Sequence, residues 1–323
     1  MQRRTRIFGG ILLLVVIGIG LFVRRVPKAP QAQRVVKIGY FNQHLGSVPV
    51  FIAEEKGQLE KYGLTAELVP MASSNQATDA LVRGDVDLSL ISLIPVLNAE
   101  SKDPGKIKFV SASVIKKDGS FDRVVVKTDS GITSLKDPKL QKIAVFPGTT
   151  ATNFLKAELV REGVDASKIE FVQMPPQNQL LALQSGAVLA AHLLEPTLTM
   201  TLAQGGYTAV TESVYGSVFD QSPIGGFGLS AVFAEKEPEL AKKLVSAIQE
   251  ASAYELAHPD EAKAIIASRF NVAPEVVAKM SLLPFARFEE LAPDFLDSFG
   301  DVLVNMGEIK TKPDLKAMVY RAR

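Results

Sequence analysis

The chain has 323 residues, 47% of them hydrophobic and 22% charged, a balance that fits a packed globular protein of about two domains and argues against disorder. It contains no cysteine, which excludes disulfides, thiolate metal sites and a cysteine nucleophile together. The net charge of +1 divides unevenly. Residues 1–34 carry seven basic groups and no acid, leaving 29 basic against 35 acidic residues in the rest, a net of −6. So acidic a body is a poor match for nucleic acid, and none is expected as a partner.

Residues 7–23 are uncharged and rich in Ile, Leu and Val, and Arg3, Arg4 and Arg6 precede them. This is the basic and apolar pattern of an export signal, and it reaches the lower limit of about 17 residues for spanning a bilayer. Arg24 and Arg25 follow at once with no small-x-small site, which favours an uncleaved signal anchor over a cleaved signal. Basic residues are balanced on the two flanks, so charge counting does not set orientation. Thr5 and Arg6 are too polar for a good twin-arginine signal. The stretch 26–34, with its prolines, alanines and glutamines, reads as an extended linker.

From Val35 the pattern alternates strand and helix. Strands are expected at 35–40, 64–69, 86–91 and 107–114, and helices at 48–56, 75–83 and 94–100; Gly57 and Gly84 serve as helix stops. A second lobe repeats the grammar. Its strands are expected at 124–127, 142–146, 169–173 and 188–193, and its helices at 150–162, 178–185 and 196–204. Leu81-x-x-Gly84-x-Val86-x-Leu88 matches Leu183-x-x-Gly186-x-Val188-x-Ala190 in spacing. One more strand is expected at 229–234, then helices at 238–257 and 260–269 and a helical tail carrying Phe288, Leu291, Phe295, Phe299, Leu303 and Met306. The domain reading is therefore 1–34 as signal or anchor and linker, 35–117 with 225–323 as lobe 1, and 118–224 as lobe 2. The crossings near 114–123 and 214–228 hold Gly, Ser and Asp, which suits hinges.

The opening VKIGYF, the block FIAEEKGQLEKYGLTAEL, ALVRGDVDLSLIS, the PGTTA turn, the LLEP segment and AHPDEAKAI together give the chain its likeness. It resembles the extracytoplasmic solute-binding proteins of ABC importers, in the branch that takes nitrate, alkanesulfonates, taurine and thiamine-precursor pyrimidines. The resemblance implies an α/β, two-lobed periplasmic-binding-protein fold, type II-like, each lobe a mostly parallel sheet flanked by helices, with the ligand cleft between lobes. It also implies a permease and an ATPase subunit as partners, a place in the periplasm or at the cell surface, and a binding role without a cofactor. Leu194 stands where the family commonly has an aromatic before Glu-Pro. The yeast-type pyrimidine synthases of this fold use a cysteine-rich motif that this chain lacks.

The candidate ligand contacts lie where strands end. Gly148, Thr149 and Thr150 join a strand to a helix, where free N–H groups and two hydroxyls suit an anion, although the threonines could equally cap the helix. Asn42, Gln43, His44 and Gly46 follow the first strand and could present polar groups or form a solvated turn. Ser74, Asn75 and Ser92 sit at further helix starts, with capping as their alternative role. Glu195 precedes Pro196, and the resemblance favours ligand contact there over dipole compensation. Gly225 would let the returning crossing approach the ligand, or would only supply turn flexibility. No metal is expected, because no second histidine or cysteine stands at ligand spacing. There is no G-x-S-x-G, H-E-x-x-H, P-loop or dinucleotide fingerprint, which disfavours an enzyme. A sensor ectodomain or a small-molecule enzyme on the same fold stands as the alternative.

Overall fold

The computed structural model describes residues 34–118, 121–218, 221–288, 300–305, 307 and 309–321. The expected membrane segment at 7–23 lies outside them, as do 289–299 of the expected tail. Among the described residues no helix is long and apolar enough to cross a membrane.

In chain order the strands are β1 (Arg34–Phe41), β2 (Leu64–Met71), β3 (Leu88–Ser92), β4 (Ile107–Phe109), β5 (Ser111–Lys116), β6 (Asp122–Lys127), β7 (Lys142–Val145), β8 (Glu170–Gln173), β9 (Ala190–Leu194), β10 (Tyr207–Ala209), β11 (Gln221–Ser230) and β12 (Phe285–Arg287). They form two sheets. One runs β12-β5-β11-β3-β1-β2, with β4 also on β11, and the other runs β10-β6-β9-β7-β8.

Each sheet has a parallel core of three strands. In the first, β1 pairs with β2 from Arg34 opposite Leu64 to Phe41 opposite Met71, and with β3 on its other side. In the second, β7 takes β8 and β9 in the same way. Each core then gains an antiparallel strand from the far side of a crossing, β11 against β3 and β6 against β9. The sheets are thus mixed, their parallel character confined to the strand-helix-strand units.

The matching segments noted in the sequence occupy equivalent places. Leu81 and Leu183 are fully buried on helices Ser74–Arg83 and Pro176–Ser185, each closed by a left-handed glycine, Gly84 or Gly186, at φ 75°. Leu88 then lies opposite Ile38, and Ala190 opposite Ile143. The repeat is one α/β unit used twice.

Packing explains the helix positions. Helix Val48–Glu55 begins with Pro49 in its first turn, where the missing N–H is not needed. It buries Val50 and Ile52 and packs on the 20-residue helix Pro238–Ala257, which buries Leu244 and Ile248. A fully buried side chain of this size contributes about 1.5–3 kcal/mol, more than a typical cap, so the apolar face decides where the helix docks.

Two expectations need correction. The strand expected at 229–234 ends at Ser230, and Ala231–Lys236 is helical. Nor is 221–228 a loose crossing, because it belongs to β11, a strand between β3 and β5. Its glycines answer to crowding. A Cβ on Gly225 would stand 2.1 Å from the Ile91 carbonyl oxygen, and one on Gly226 1.9 Å from that of Ser111.

Candidate functional site

The carboxyl ends of both parallel cores face a shared cleft, as expected for open α/β sheets. From the first sheet come Phe41 at the end of β1, Ser92 at the end of β3, Ser113 of β5 and Gly225 of β11. From the second come Phe146 and Pro147 after β7 and Leu194 at the end of β9. The space they enclose is about 30 Å³. A single water needs roughly 10–15 Å³ by this measure, so the space is of the size of one or two waters.

Three helix starts converge on this space. Ser74 begins helix Ser74–Arg83, Ser92 is the N-cap of helix Leu93–Glu100, and Gly148 is the N-cap of helix Thr149–Arg161. Neither Ser92 nor Gly148 caps its helix through a side chain. A helix cannot satisfy its own first N–H groups, and their partial positive charge favours an anion. Three of these N–H groups have side-chain partners, the first being that of Gln76, which donates to the capping Ser73 hydroxyl at 3.2 Å. Gly148 donates to Gln173 Oε1 at 3.0 Å, and Thr149 donates across the cleft to Asn75 Oδ1 at 3.2 Å. Thr150 and Ala151, the next residues, line the cavity. The Thr150 Oγ1 is buried without a hydrogen-bond partner, and so is that of Thr149. The threonines therefore do not cap the helix.

The walls are aromatic. Phe41 meets Phe146 edge to face with centroids 6.0 Å apart, joining the two sheets. His44 sits between Phe146 at 5.7 Å and Phe121 at 5.8 Å. Its Nδ1 accepts from the Gly46 N–H at 3.0 Å, and burial lowers its pKa to about 4. Tyr215 closes another wall, packed on Phe154 and His192, and burial beside Asp122 raises its hydroxyl well above the usual phenol range. Among the described residues no Lys, Arg, Asp or Glu side chain lines the cavity. With His44 neutral, the described lining residues carry no formal charge.

The structure gathers His44, Ser74, Ser92, Thr150 and Gly225 around the cavity. Gly46, Asn75, Gly148 and Thr149 stand directly behind them; a Cβ on Gly148 would lie 2.7 Å from Ser74 Oγ. Asn42 is exposed and Gln43 half-buried in the turn before His44, outside the lining. Glu195 is also outside it. Its carboxylate accepts from the Thr199 N–H at 3.2 Å and from the Thr199 hydroxyl at 2.5 Å, and burial raises its pKa to about 7. Sequence reasoning passed over Phe41, Phe146, Tyr215, Ser113 and Leu283. Phe41 and Phe146 were findable, since each closes a strand facing the cleft; Tyr215 and Leu283 arrive from remote segments with no local signal. Leu194 lines the cavity, and the aromatic surface comes from other positions.

This arrangement is that of a two-lobed α/β binding protein with its cleft between the lobes. The chain belongs to the NMT1-like family, whose model matches residues 29–271. A Brucella abortus protein described only as a binding protein is 26% identical over 93% of this chain and 95% of its own length. An Escherichia coli protein described as binding aliphatic sulfonates is 24% identical over 81% of this chain and 79% of its own. The solved alkanesulfonate-binding protein SsuA from Xanthomonas axonopodis pv. citri, bound to MOPS, superposes with a TM-score of 0.74 over 90% of this chain and all of that one, at 18% identity, a likeness of fold.

Proposed function

We propose that this protein is the extracytoplasmic solute-binding component of an ABC importer, holding a small solute by closure of two hinged lobes. The lobes are residues 35–117 with 225–323, and 118–224, and residues 1–34 export the chain or anchor it to the membrane. A permease and an ATPase subunit are its partners. The solute's oxyanion end sits at the helix starts around Thr150, Ser74 and Ser92, and its body lies against Phe41, Phe146 and Tyr215. The observation that carries this reading is the buried, unpartnered Thr150 hydroxyl beside two further helix starts in one inter-lobe cavity.

The reading is binding and not turnover, in keeping with relatives described as binding proteins. Closure follows from contacts to both lobes, because only a ligand that favours the closed state shifts the equilibrium toward it. A thermal-shift screen over alkanesulfonates, taurine, nitrate, pyrimidines and aromatic acids, followed by calorimetry, tests it. A saturable rise in melting temperature with one class, and recovery of that compound unchanged, is the expected result. Chemical conversion of a bound compound, or no binding at all, would overturn it.

A further inference from the structure

We propose that His44 determines specificity in the cleft as an uncharged hydrogen-bond donor locked in one tautomer, so that the cleft selects a solute whose polar end only accepts hydrogen bonds and which carries no ammonium group. The inference rests on the solute-binding reading above.

The tautomer follows from one contact. The Gly46 N–H points at His44 Nδ1 at 3.0 Å. A ring nitrogen that accepts carries no proton, so the neutral imidazole holds its proton on Nε2. The ring lines the cavity, and edge contacts to Phe41, Phe121 and Phe146 fix its plane. Turning the ring over would bring Cδ2–H to the Gly46 N–H and leave that N–H without its acceptor, and moving the proton to Nδ1 would set two N–H groups against each other. Gly46 also lies so close that a Cβ there would stand 2.9 Å from Nδ1, so any larger residue would push the ring away. Nε2–H is therefore the polar face that the imidazole offers the cleft, and burial keeps it neutral at ordinary pH.

The rest of the lining extends the same chemistry. The hydroxyls of Ser74, Ser92 and Thr150 can donate, and the backbone at Thr150 and Ala151 supplies N–H groups. Among the described residues no carboxylate lines the cavity. An oxyanion finds donors from both sheets, whereas an ammonium group would be buried without a counter-charge, which is strongly unfavourable. Oxyanion recognition by neutral donors also means that affinity changes little with ionic strength, unlike a site built on lysine or arginine.

Two substitutions separate the donor from the brace. His44→Asn keeps an acceptor where Nδ1 lies and removes the donor at Nε2. His44→Gln reaches the Nε2 position with an amide N–H and removes the acceptor near Gly46. Calorimetry would compare two pairs of probes on the full chain: propanesulfonate with 3-aminopropanesulfonate, and butanoate with 4-aminobutanoate. The wild type should prefer the member without nitrogen by about tenfold or more in at least one pair. His44→Asn should weaken that binding about tenfold while melting near the wild-type temperature, and His44→Gln should retain most of the affinity. Equal affinity for both members of each pair that binds, or retained affinity in His44→Asn with loss in His44→Gln, would overturn the inference and leave the solute-binding reading intact. If the substitutions prevent folding, the wild-type comparison of pairs still decides. Binding of neither pair, with no binding in the wider screen, would overturn both.

Discussion

Asp122 holds Val214 across the two crossings: the Val214 N–H donates to the Asp122 carboxylate at 2.8 Å. Asp122 is the first residue of β6, and Val214 lies on the way back to the first sheet. The same carboxylate accepts from the Tyr215 N–H at 3.1 Å and from the Ser213 hydroxyl, and it meets His192 Nε2 at 2.8 Å, all of it shielded from solvent. One side chain thus ties the outgoing crossing to the returning one beneath Tyr215, which lines the cleft. Asp122→Ala should cost about 4 kcal/mol in urea unfolding, because it strands three donors and a histidine in the interior. Ser213→Ala removes one of these bonds and should cost about 2 kcal/mol.

Thr150→Val tests the cleft from the opposite direction. The Thr150 Oγ1 is buried without a partner, so exchanging it for a methyl of similar shape should leave stability unchanged or raise it by about 1 kcal/mol. Solute affinity should fall about tenfold by calorimetry. A gain in melting temperature paired with a loss of binding is the signature of a group retained for its ligand.

The glycines of β11 should be far less replaceable than those that end helices. Gly226→Ala drives a Cβ into the Ser111 carbonyl and should cost about 3 kcal/mol. Gly84→Ala meets nothing within 4 Å and should cost about 1 kcal/mol, from its left-handed backbone alone. Paired denaturation curves would show the difference.

Glu195 gives the fold a dependence on pH. Burial lifts its pKa from 4.5 to about 7, so the folded chain holds a proton that the unfolded chain has released. Its contribution is complete below about 4.5 and is lost as pH rises through 7, on the order of 3 kcal/mol in total. His44, lowered from 6.5 to about 4, acts in the opposite sense, losing stability as pH falls through that window. The two partly cancel in the native protein. Glu195→Gln should therefore unmask a stability that climbs between pH 4.5 and 6.5, measured by urea denaturation across that range.

Much of this was legible in the chain. The alternation of apolar strands with glycine-stopped helices predicted the parallel cores, and the matched leucines and glycines predicted their repetition. The reading failed where a residue answered to a distant partner. Gly225 and Gly226 read as hinge residues, because the strands that crowd them are remote in sequence. Asp122 fell within the crossing read as a hinge near 114–123, because its three donors come from residues 213–215, remote in sequence. In the site, polar residues at strand ends were visible as such. The apolar walls were not, because a phenylalanine destined for a cleft looks like one destined for a core.

The position of β11 between β3 and β5 has a consequence for how the chain matures. Every strand of the second sheet comes from one unbroken stretch, so that half can assemble as soon as it leaves the ribosome. The first sheet must wait for a piece made more than a hundred residues after β3, and until then β5 lacks the neighbour that links it to β3 and β1. Pulse-labelled hydrogen exchange should find the amides of Val125 and Ala191 protected before those of Phe227 and Gly228.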